Sequence, residues 1–331
     1  MAYIIGIDEA GYGPKMGPLV MASVAFSAPD GKTDLWKSLG TVITKNCKNS
    51  DHGMKMPVCD SKKVFSPRKG TAQLEKTIHP LLLLLKAQKN IPHSGGFTLP
   101  EYLDLLDAGP HENFADYPWY AGIDRETAAG AGNGLKNFMQ AVESALDCKG
   151  IKFLGAHLEI ADAIKFNRSL SGQNKSDFLF ELFVNLARKT LNSMPAPAGN
   201  TGHGITVYAG KHGGKNFYKN DFQNRFGTEK ISIITESRAK SSYKVVAQPH
   251  AFTAHFLKDG EDAQFTIALA SMFAKYTREL FMRAINRFWL NRVPGLKPTS
   301  GYPMDAKRFY NDISGVFLNM SIPRETLWRI K

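Results

Sequence analysis

An apolar run near the start of the chain carries two neighbouring carboxylates into a glycine-containing loop. Residues 4–20 read "IIGIDEAGYGPKMGPLV", and Asp8 and Glu9 end the apolar part. Side chains alternate along a strand, so the two carboxylates would point to opposite faces of a buried strand. Ionised carboxylates beside a core are costly unless a positive charge meets them. A metal ion is one answer, which would need a bulge or a sharp turn into Gly11; an acidic surface turn is the other.

The charge balance favours a polyanionic partner. Lys and Arg number 42 against 30 Asp and Glu, which gives a formal net charge of +12. Between residues 204 and 258, nine basic side chains face only three acidic ones, so this window alone supplies half of the excess. Nucleic acid is the partner that such a balance fits best, although many basic proteins bind none.

The cysteines and the apolar runs predict a cytoplasmic protein. Cys47, Cys59 and Cys148 show no paired spacing, which predicts reduced thiols and argues against a zinc site. Met1 leads directly into a strand-like segment, which predicts that no secretory signal precedes the fold. The run "PLLLLLKA" at 80–87 is too short for a membrane span and predicts a buried helix.

Hydrophobic patterning predicts a chain of mixed strands and helices without internal repeats. Strands are predicted over residues 3–8, 18–26, 151–160, 205–208, 231–235, 243–248 and 251–257. Helices are predicted to start at Ser66-Pro67, to span 124–148 and 174–191, and to run from near Glu261 past Arg287. Residues 90–124, rich in Pro, Gly and aromatics, are predicted to be irregular. This order of elements favours a mixed sheet flanked by helices.

Four short motifs occur in the order found in one enzyme family. They are "GIDEAGYGPKMGPLV" at 6–20, "DSKKVFSP" at 60–67, "IALASMFAKYTREL" at 267–280 and "GYP" at 301–303. Together they resemble the motifs of the type 2 ribonucleases H, the ribonuclease HII and HIII family. The resemblance implies an α/β, ribonuclease H-like fold with a mixed five-stranded sheet flanked by helices. It implies one domain over residues 1–331 with an irregular insertion at about 90–200, where the family match is poor.

The resemblance gives the two carboxylates a chemical role. Family members use two divalent ions, about 3.5–4 Å apart, to activate water and to stabilise the leaving oxygen of a phosphodiester. Such ions prefer oxygen ligands, so Asp8 and Glu9 would bind Mg²⁺ or Mn²⁺. The acidic position before the third motif falls on Glu261, where the HIII branch resembles this chain in having Glu. Without the resemblance, Glu261 would be a helix N-terminal acid favoured by the helix dipole.

One carboxylate of the family pattern is missing. The family has an Asp at the end of a central strand, and here Ala209 and Gly210 occupy that place in "GITVYAGKHGGKNFY". Neither can bind a metal through its side chain. Either a nearby acid has replaced it, or the second metal is weakly held, or catalysis is crippled. The candidate replacements are Asp221, Glu236, Asp259 and Asp262.

The resemblance also implies contacts to the substrate. Lys62 and Lys63 would meet phosphate oxygens, or would be a solvated pair, and Tyr302 would lie near the sugar where RNA meets DNA, or would be a packed turn aromatic. Tyr12 stands where the HII type carries Arg in Gly-Arg-Gly, which makes longer hybrid stretches more secure substrates than single ribonucleotides. The complete set of predicted substrate-binding residues is Gly11, Tyr12, Gly13, Ser61, Lys62, Lys63, Lys211, Arg238, Ser271, Lys275 and Tyr302.

Three functions follow from these observations. The first is an endonuclease that cuts the RNA strand of RNA–DNA hybrids, impaired by the missing Asp. The second is a nucleic-acid-binding relative that keeps the fold and has lost turnover. The third is another metal-dependent nuclease or resolvase on a similar sheet. The sequence predicts an RNA–DNA hybrid or RNA-containing duplex as the partner, and it shows no sign of a membrane or of an obligate protein partner.

Overall fold

The structure, a computed structural model, describes most of the chain. The described residues are 1–47, 55–66, 70–92, 97–109, 117–121, 127–128, 133–195, 204–226, 230–247 and 250–330. All statements below concern these residues. Pro67 of the predicted helix start lies outside them.

The strands form one main sheet and two small ones. They are β1 (Ala2–Ala10), β2 (Leu19–Ala28), β3 (Ile43–Thr44), β4 (Met56–Pro57), β5 (Phe97–Thr98), β6 (Thr127–Ala128), β7 (Lys152–Ala161), β8 (Ile205–Gly210), β9 (Lys230–Glu236), β10 (Lys240–Val246) and β11 (Ala251–Leu257). Among the described residues the main sheet has seven strands in the order β7-β2-β1-β8-β11-β10-β9. Strand β8 is parallel to both β1 and β11, and the other pairs are antiparallel.

Helices flank both faces of this sheet. They are α1 (Leu35–Ser38), α2 (Ser61–Val64), α3 (Ala72–Gln88), α4 (Leu99–Leu105), α5 (Asn133–Cys148), α6 (Ala163–Ser169), α7 (Lys175–Ser193), α8 (Lys219–Phe226), α9 (Gly260–Ala263), α10 (Phe265–Leu290) and α11 (Pro303–Asn319), with 3₁₀ turns at Pro118–Tyr120 and Arg324–Thr326. None of the helices in the described ranges is long and apolar enough to cross a membrane.

The side chains of β1 alternate between two hydrophobic cores. Ile4 joins the core formed with α3 and α10, whereas Ile5 and Ile7 join the core formed with α7. Gly6 lies against α10, where a Cβ would come within 2.1 Å of the Thr266 backbone. The period-two alternation of a strand thus explains why β1 is apolar on both faces.

The mixed α/β architecture is confirmed, with more strands than the five that the resemblance implies. One edge strand, β7, lies inside the predicted insertion and pairs along its length with β2. At the other edge, β9 extends the sheet by pairing with β10. The boundaries of the insertion and the single-domain organisation stay predictions.

Two local predictions are wrong. The helix expected from Ser66-Pro67 begins instead at Ala72, directly after Thr71. A separate short helix, α2, precedes it and is capped by the Asp60 side chain. Cys47 and Cys59 form a disulfide, with their Cα atoms 6.5 Å apart, instead of being reduced thiols. Their spacing in sequence gave no sign of this, since the contact depends on the parallel pairing of β3 with β4. A cytoplasmic location stays a prediction.

Candidate active site

Three strands bring their carboxyl ends to one edge of the sheet. Strands β1, β8 and β11 run parallel, and Ile7 pairs with Ala209 while Leu257 pairs with Gly210. Residues just beyond these positions therefore lie close together. Parallel sheets place ligand sites at this edge because the loops that follow the strands open there.

Asp8 and Glu9 stand at the end of β1. The pairing of β1 with β2 continues without a bulge through Ala10, so the two side chains keep to opposite faces of the strand. Of the bulge and the sharp turn that the sequence left open, the structure has the turn, at Gly11, whose φ is +94°. Asp8 is only 7% exposed. Its carboxylate still lies near enough to those of Glu9 and Glu261 for their charges to act on it.

The electrostatics of the pair indicate negative charge that Lys62 offsets only in part. Burial raises the pKa of Asp8 well above its usual range, and the charges of Glu9 and Glu261 raise it further. Burial, followed by the charge of Glu261, raises the pKa of Glu9 to about 7. Desolvation and like charge both disfavour an ionised carboxylate. A cation among these groups would remove that penalty.

Gly210 is the position at which the missing carboxylate would face the acids. A Cβ built on Gly210 lies 2.8 Å from Asp8 Oδ1, whereas the side chain of Ala209 is buried in the core beside α7. The close atom is the end of a side chain, which can move aside. Of the two residues that the sequence left open, Gly210 is therefore the one whose side chain would point to the acids.

Glu261 approaches from α9, which directly follows β11. Asp259 stands before this helix in a left-handed conformation, with φ at 52°, and turns the chain back over the strand ends. Glu261 Oε1 lies 3.8 Å from Lys62 Nζ. It is both a first-turn acid of α9 and a neighbour of Asp8, so the two interpretations of this residue are compatible.

The acids do not form a complete metal cage. Among the residues that the structure describes, no group of three His, Cys, Asp or Glu side chains is close enough to hold a metal ion. Position 210 has no side chain, and Glu261 is within ion-pair distance of Lys62. The donor chemistry nevertheless fits a hard divalent cation, since the groups present are carboxylates, of which Asp8 is buried and Glu9 and Glu261 are half-buried.

A cleft with a basic rim lies over the acids. Its volume is about 640 Å³. Its acidic lining residues are Glu9, Asp259 and Glu261, and its basic ones are Lys62, Lys211, Arg238 and Lys258. Gly210 forms part of the floor. A local negative centre inside a positive rim suits a bound cation flanked by the phosphates of a polyanion.

Of the four acids considered as replacements, Asp259 is the one that lines this cleft. Asp221 is 2.6 Å from Lys215 Nζ. Asp262 is bonded to Lys63, and Glu236 accepts a hydrogen bond from the Tyr243 hydroxyl. Asp259 is solvent-exposed, with Lys258 4.0 Å away. Its position, rather than its sequence context, makes it the remaining candidate.

The predicted phosphate contacts differ in availability. Lys62 and Arg238 line the cleft with exposed side chains. Lys63 is held by Asp262. The Lys211 ammonium donates to Asn216 Oδ1 at 2.6 Å, Ser237 O at 2.7 Å and Ser241 Oγ at 3.0 Å, which uses all three of its N–H groups. Lys211 therefore fastens the loop after β8 to the β9–β10 turn.

Three other predicted contacts lie in the protein interior or at its boundary. Ser271 is 1% exposed and its hydroxyl donates to Ala268 O within α10. Ser61 is buried at the start of α2. The Lys275 ammonium donates to Glu279 at 2.7 Å and lies over the Phe65 ring. In this conformation these side chains support α2 and α10 instead of lining the cleft.

The first loop is fixed by residues that come from the far end of the chain. Arg329, which is fully buried, donates to Gly11 O at 2.7 Å and also to Pro14 O. Burial and the neighbouring Arg278 lower the pKa of Arg329 to about 9. Sequence reasoning missed Arg329, and "LWRIK" carries no signal that could have revealed it.

The fourth motif packs onto the same loop. Gly301 O accepts hydrogen bonds from Lys15 N at 2.7 Å and Met16 N at 3.2 Å. The next residue, Tyr302, is 52% exposed at the start of α11. Tyr12 and Gly11 are partly buried, and Gly13 is exposed. Burial, and then the charge of Glu9, raise the pKa of Tyr12. The first and fourth motifs thus form one structural unit.

Comparison with known proteins finds similar solved structures only. No protein-family model matches the chain, and no curated protein does. The chain is similar to the PCNA:RNase HII complex structure from Archaeoglobus fulgidus, at 14% identity and a TM-score of 0.43, over 99% of this chain and 94% of that one. It is similar to ribonuclease H2 from Pyrococcus horikoshii OT3 at 14% identity and a TM-score of 0.46, over 98% of this chain and 92% of that one. It is similar to Bst-RNase HIII in complex with Mn²⁺ at 14% identity and a TM-score of 0.37, over 99% of this chain and 66% of that one.

Proposed function

We propose that this protein is a metal-dependent endoribonuclease of the type 2 ribonuclease H kind, which cuts the RNA strand of RNA–DNA hybrids. The single observation that carries the proposal is the group of acids formed by buried Asp8 and half-buried Glu9 and Glu261, at the carboxyl edge of parallel strands below a basic cleft. The ordered motifs of the sequence support the same reaction. A phosphodiester is a substrate that such a cleft can hold by its phosphates.

In this proposal Asp8, Glu9 and Glu261 hold Mg²⁺ or Mn²⁺. A divalent ion supplies a water of lowered pKa and charge stabilisation for the leaving oxygen. The chain would hold Asp8 and Glu9 on the fixed backbone of β1, and the Glu261 side chain would have to turn from Lys62 toward the ion. Lys62 competes for Glu261, and its exposed side chain can turn to a phosphate when Glu261 takes up its ligand position.

Substrate contacts divide between phosphates and sugar. Lys62 and Arg238 reach phosphates from the cleft rim. The loop at Gly11–Gly13 offers backbone amides to a 2′-hydroxyl, the group by which RNA differs from DNA. Tyr302 borders the same loop through Gly301. Since Tyr12 replaces the arginine of the HII type, hybrid stretches are the preferred substrate over single embedded ribonucleotides.

A second candidate function is binding without turnover. Its specific support is Gly210, which leaves the acids one carboxylate short of the family pattern. Such a protein would recognise hybrids through the same cleft. The two candidates differ only in whether the remaining acids suffice for catalysis.

Cleavage of an end-labelled RNA–DNA hybrid in Mn²⁺ tests the proposal. We expect slow cutting of the RNA strand, no cutting of a pure DNA duplex, and a rate at least tenfold higher for Gly210→Asp, equivalent to about 1.4 kcal/mol of barrier. Gly210→Asn is the matched control, because it fills the same space without the charge. Binding without any cut product, even for Gly210→Asp, would favour the binding-only function. Equal cutting of DNA would point to another nuclease.

A further inference from the structure

Phe217 is a large aromatic residue held outside the core. It is 69% exposed, whereas its neighbour Tyr218 is fully buried and stacks on Phe256 with ring centroids 3.8 Å apart. The Tyr218 amide donates to Tyr243 Oη at 2.9 Å. The backbone on the other side is fixed as well, because the Ser241 hydroxyl donates to the carbonyl of residue 216 at 2.6 Å. The outward position of Phe217 is therefore imposed by an ordered backbone.

The Phe217 ring lies next to the cleft. Asn216 lines the cleft, and Phe217 lines an adjoining hollow of about 410 Å³ together with Ile233 and Lys219. The loop between β8 and α8 separates the two depressions. A chain that leaves the cleft across this loop would pass over the exposed ring.

The surroundings of Phe217 carry free positive charge. Lys219, which lines the hollow together with Phe217, has no ion-pair partner among the described residues, and neither has Arg238, which lines the cleft. The nearby acid Asp221 is already paired with Lys215, and Glu236 is bonded to Tyr243. An exposed aromatic among unpaired cations fits a polyanion with stackable rings better than an apolar peptide.

We propose that Phe217 is a stacking platform for a single-stranded nucleic acid that continues from the cleft, with Lys219 contacting its phosphates. The inference rests on the proposed function, since it extends the same substrate path. Base–aromatic stacking tolerates any sequence because every base has a π-face, and phosphate contacts add affinity independent of sequence. The ligand is thus a single-stranded RNA or DNA extension of a bound duplex.

Fluorescence anisotropy in Ca²⁺ tests this inference with a blunt RNA–DNA hybrid and with the same hybrid carrying a single-stranded extension. The extension is made of RNA in one ligand and of DNA in another. Wild type should bind the extended hybrids more tightly. Phe217→Ala should weaken that binding at least about fivefold, the lower end of the contribution of one stacked base, and leave blunt-hybrid binding unchanged. Phe217→Trp should retain the gain. Met304→Ala, at an 85% exposed residue on α11, is the matched control.

The outcomes separate the inference from the function on which it rests. The inference is overturned if Phe217→Ala binds the extended hybrid as tightly as wild type does. It is also overturned if Met304→Ala weakens binding of the extended hybrid as much as Phe217→Ala does. If wild type prefers neither hybrid over a DNA duplex, the proposed function fails; the same extension placed on that duplex then still reports on Phe217. A gain from only one extension chemistry identifies the strand that crosses the ring.

Discussion

The chemistry of the candidate site depends on which residue supplies the carboxylate that is absent at residue 210. The Cβ position of Gly210 faces Asp8, and Asp259 is the one alternative acid that lines the cleft. Asp259 adopts a left-handed backbone that Asp tolerates better than most residues.

We predict that Asp259→Asn lowers Mn²⁺-dependent cleavage about tenfold, or about 1.4 kcal/mol, because it removes the substitute carboxylate. In the Gly210→Asp background the same change should have little effect, since the family position is then filled. Rates on a labelled hybrid, measured for the four variants of this double-mutant cycle, check the prediction. Asp221→Asn, whose carboxylate is paired with Lys215, is the control. Additive effects would show that the two positions act independently.

His212 provides a residue-scale prediction on stability. Its ring is 1% exposed and packs in an aromatic cluster with Phe180, Phe183 and Phe256. Burial, and then the charge of Lys215, lower the pKa of His212 to about 3. The unfolded chain binds a proton near its ordinary pKa of about 6.5, so stability is lost as pH falls from about 6.5 toward 3.

His212→Phe should therefore flatten the pH dependence of unfolding. A single proton taken up only by the unfolded state contributes up to about 1.4 kcal/mol per pH unit to the free energy of unfolding. Urea titrations of both proteins at pH 7, 6 and 5 measure the difference. Parallel pH profiles would mean that His212 is protonated in the folded state or is not buried.

Among the elements, the contact between β1 and α10 is the most demanding. A Cβ on Gly6 would lie 2.1 Å from the Thr266 carbonyl carbon, and backbone atoms cannot move aside as a side-chain end can. Gly134 offers a contrast, because it lies in α5 with open space around its Cβ position.

Gly6→Ala should destabilise the protein by about 3 kcal/mol or more, since overpacking at a backbone contact forces β1 and α10 apart. Gly134→Ala should stabilise it by about 0.5–1 kcal/mol through helix propensity. Denaturant midpoints of the two variants check both signs. A tolerated alanine at residue 6 would mean that β1 and α10 are less closely packed than described.

The elements also show which features a sequence can predict. Strands with apolar or alternating side chains, such as β1, β2 and β11, were predictable because burial dictates their composition. Helix starts were predictable only in part, since α7 begins at Lys175, one residue after its predicted start. The helix predicted from residue 124 is described only from Asn133, and α3 begins five residues after Pro67, because caps and tertiary contacts decide the first turn. The Cys47–Cys59 bond required the β3–β4 pairing to be known.

At the scale of the whole molecule, the candidate site was partly predictable. Asp8, Glu9 and Glu261 could be predicted because the motifs preserve their order, although they converge only through the sheet topology. The role of Arg329 could not, since a buried arginine that holds a distant loop has no local pattern. Lys211 was predicted to bind substrate, but its three hydrogen bonds to neighbouring loops became visible only in the folded chain.

The charge of the whole molecule gives the last prediction. With a net charge of +12, hybrid binding should weaken steeply as salt rises, because bound phosphates release counterions. Arg238→Ala should lower the slope of log Kd against log salt concentration by about one, the value for a single phosphate contact. Lys149→Ala is the matched control, because it removes an exposed cation after α5, near the opposite edge of the sheet. Lys211→Met should instead reduce stability by about 1 kcal/mol, since the part-buried acceptors on Asn216 and Ser241 lose their donor. Equal slopes for wild type and Arg238→Ala would exclude a phosphate contact at this rim, and an equal effect of Lys149→Ala would reduce the role of the cleft to diffuse attraction.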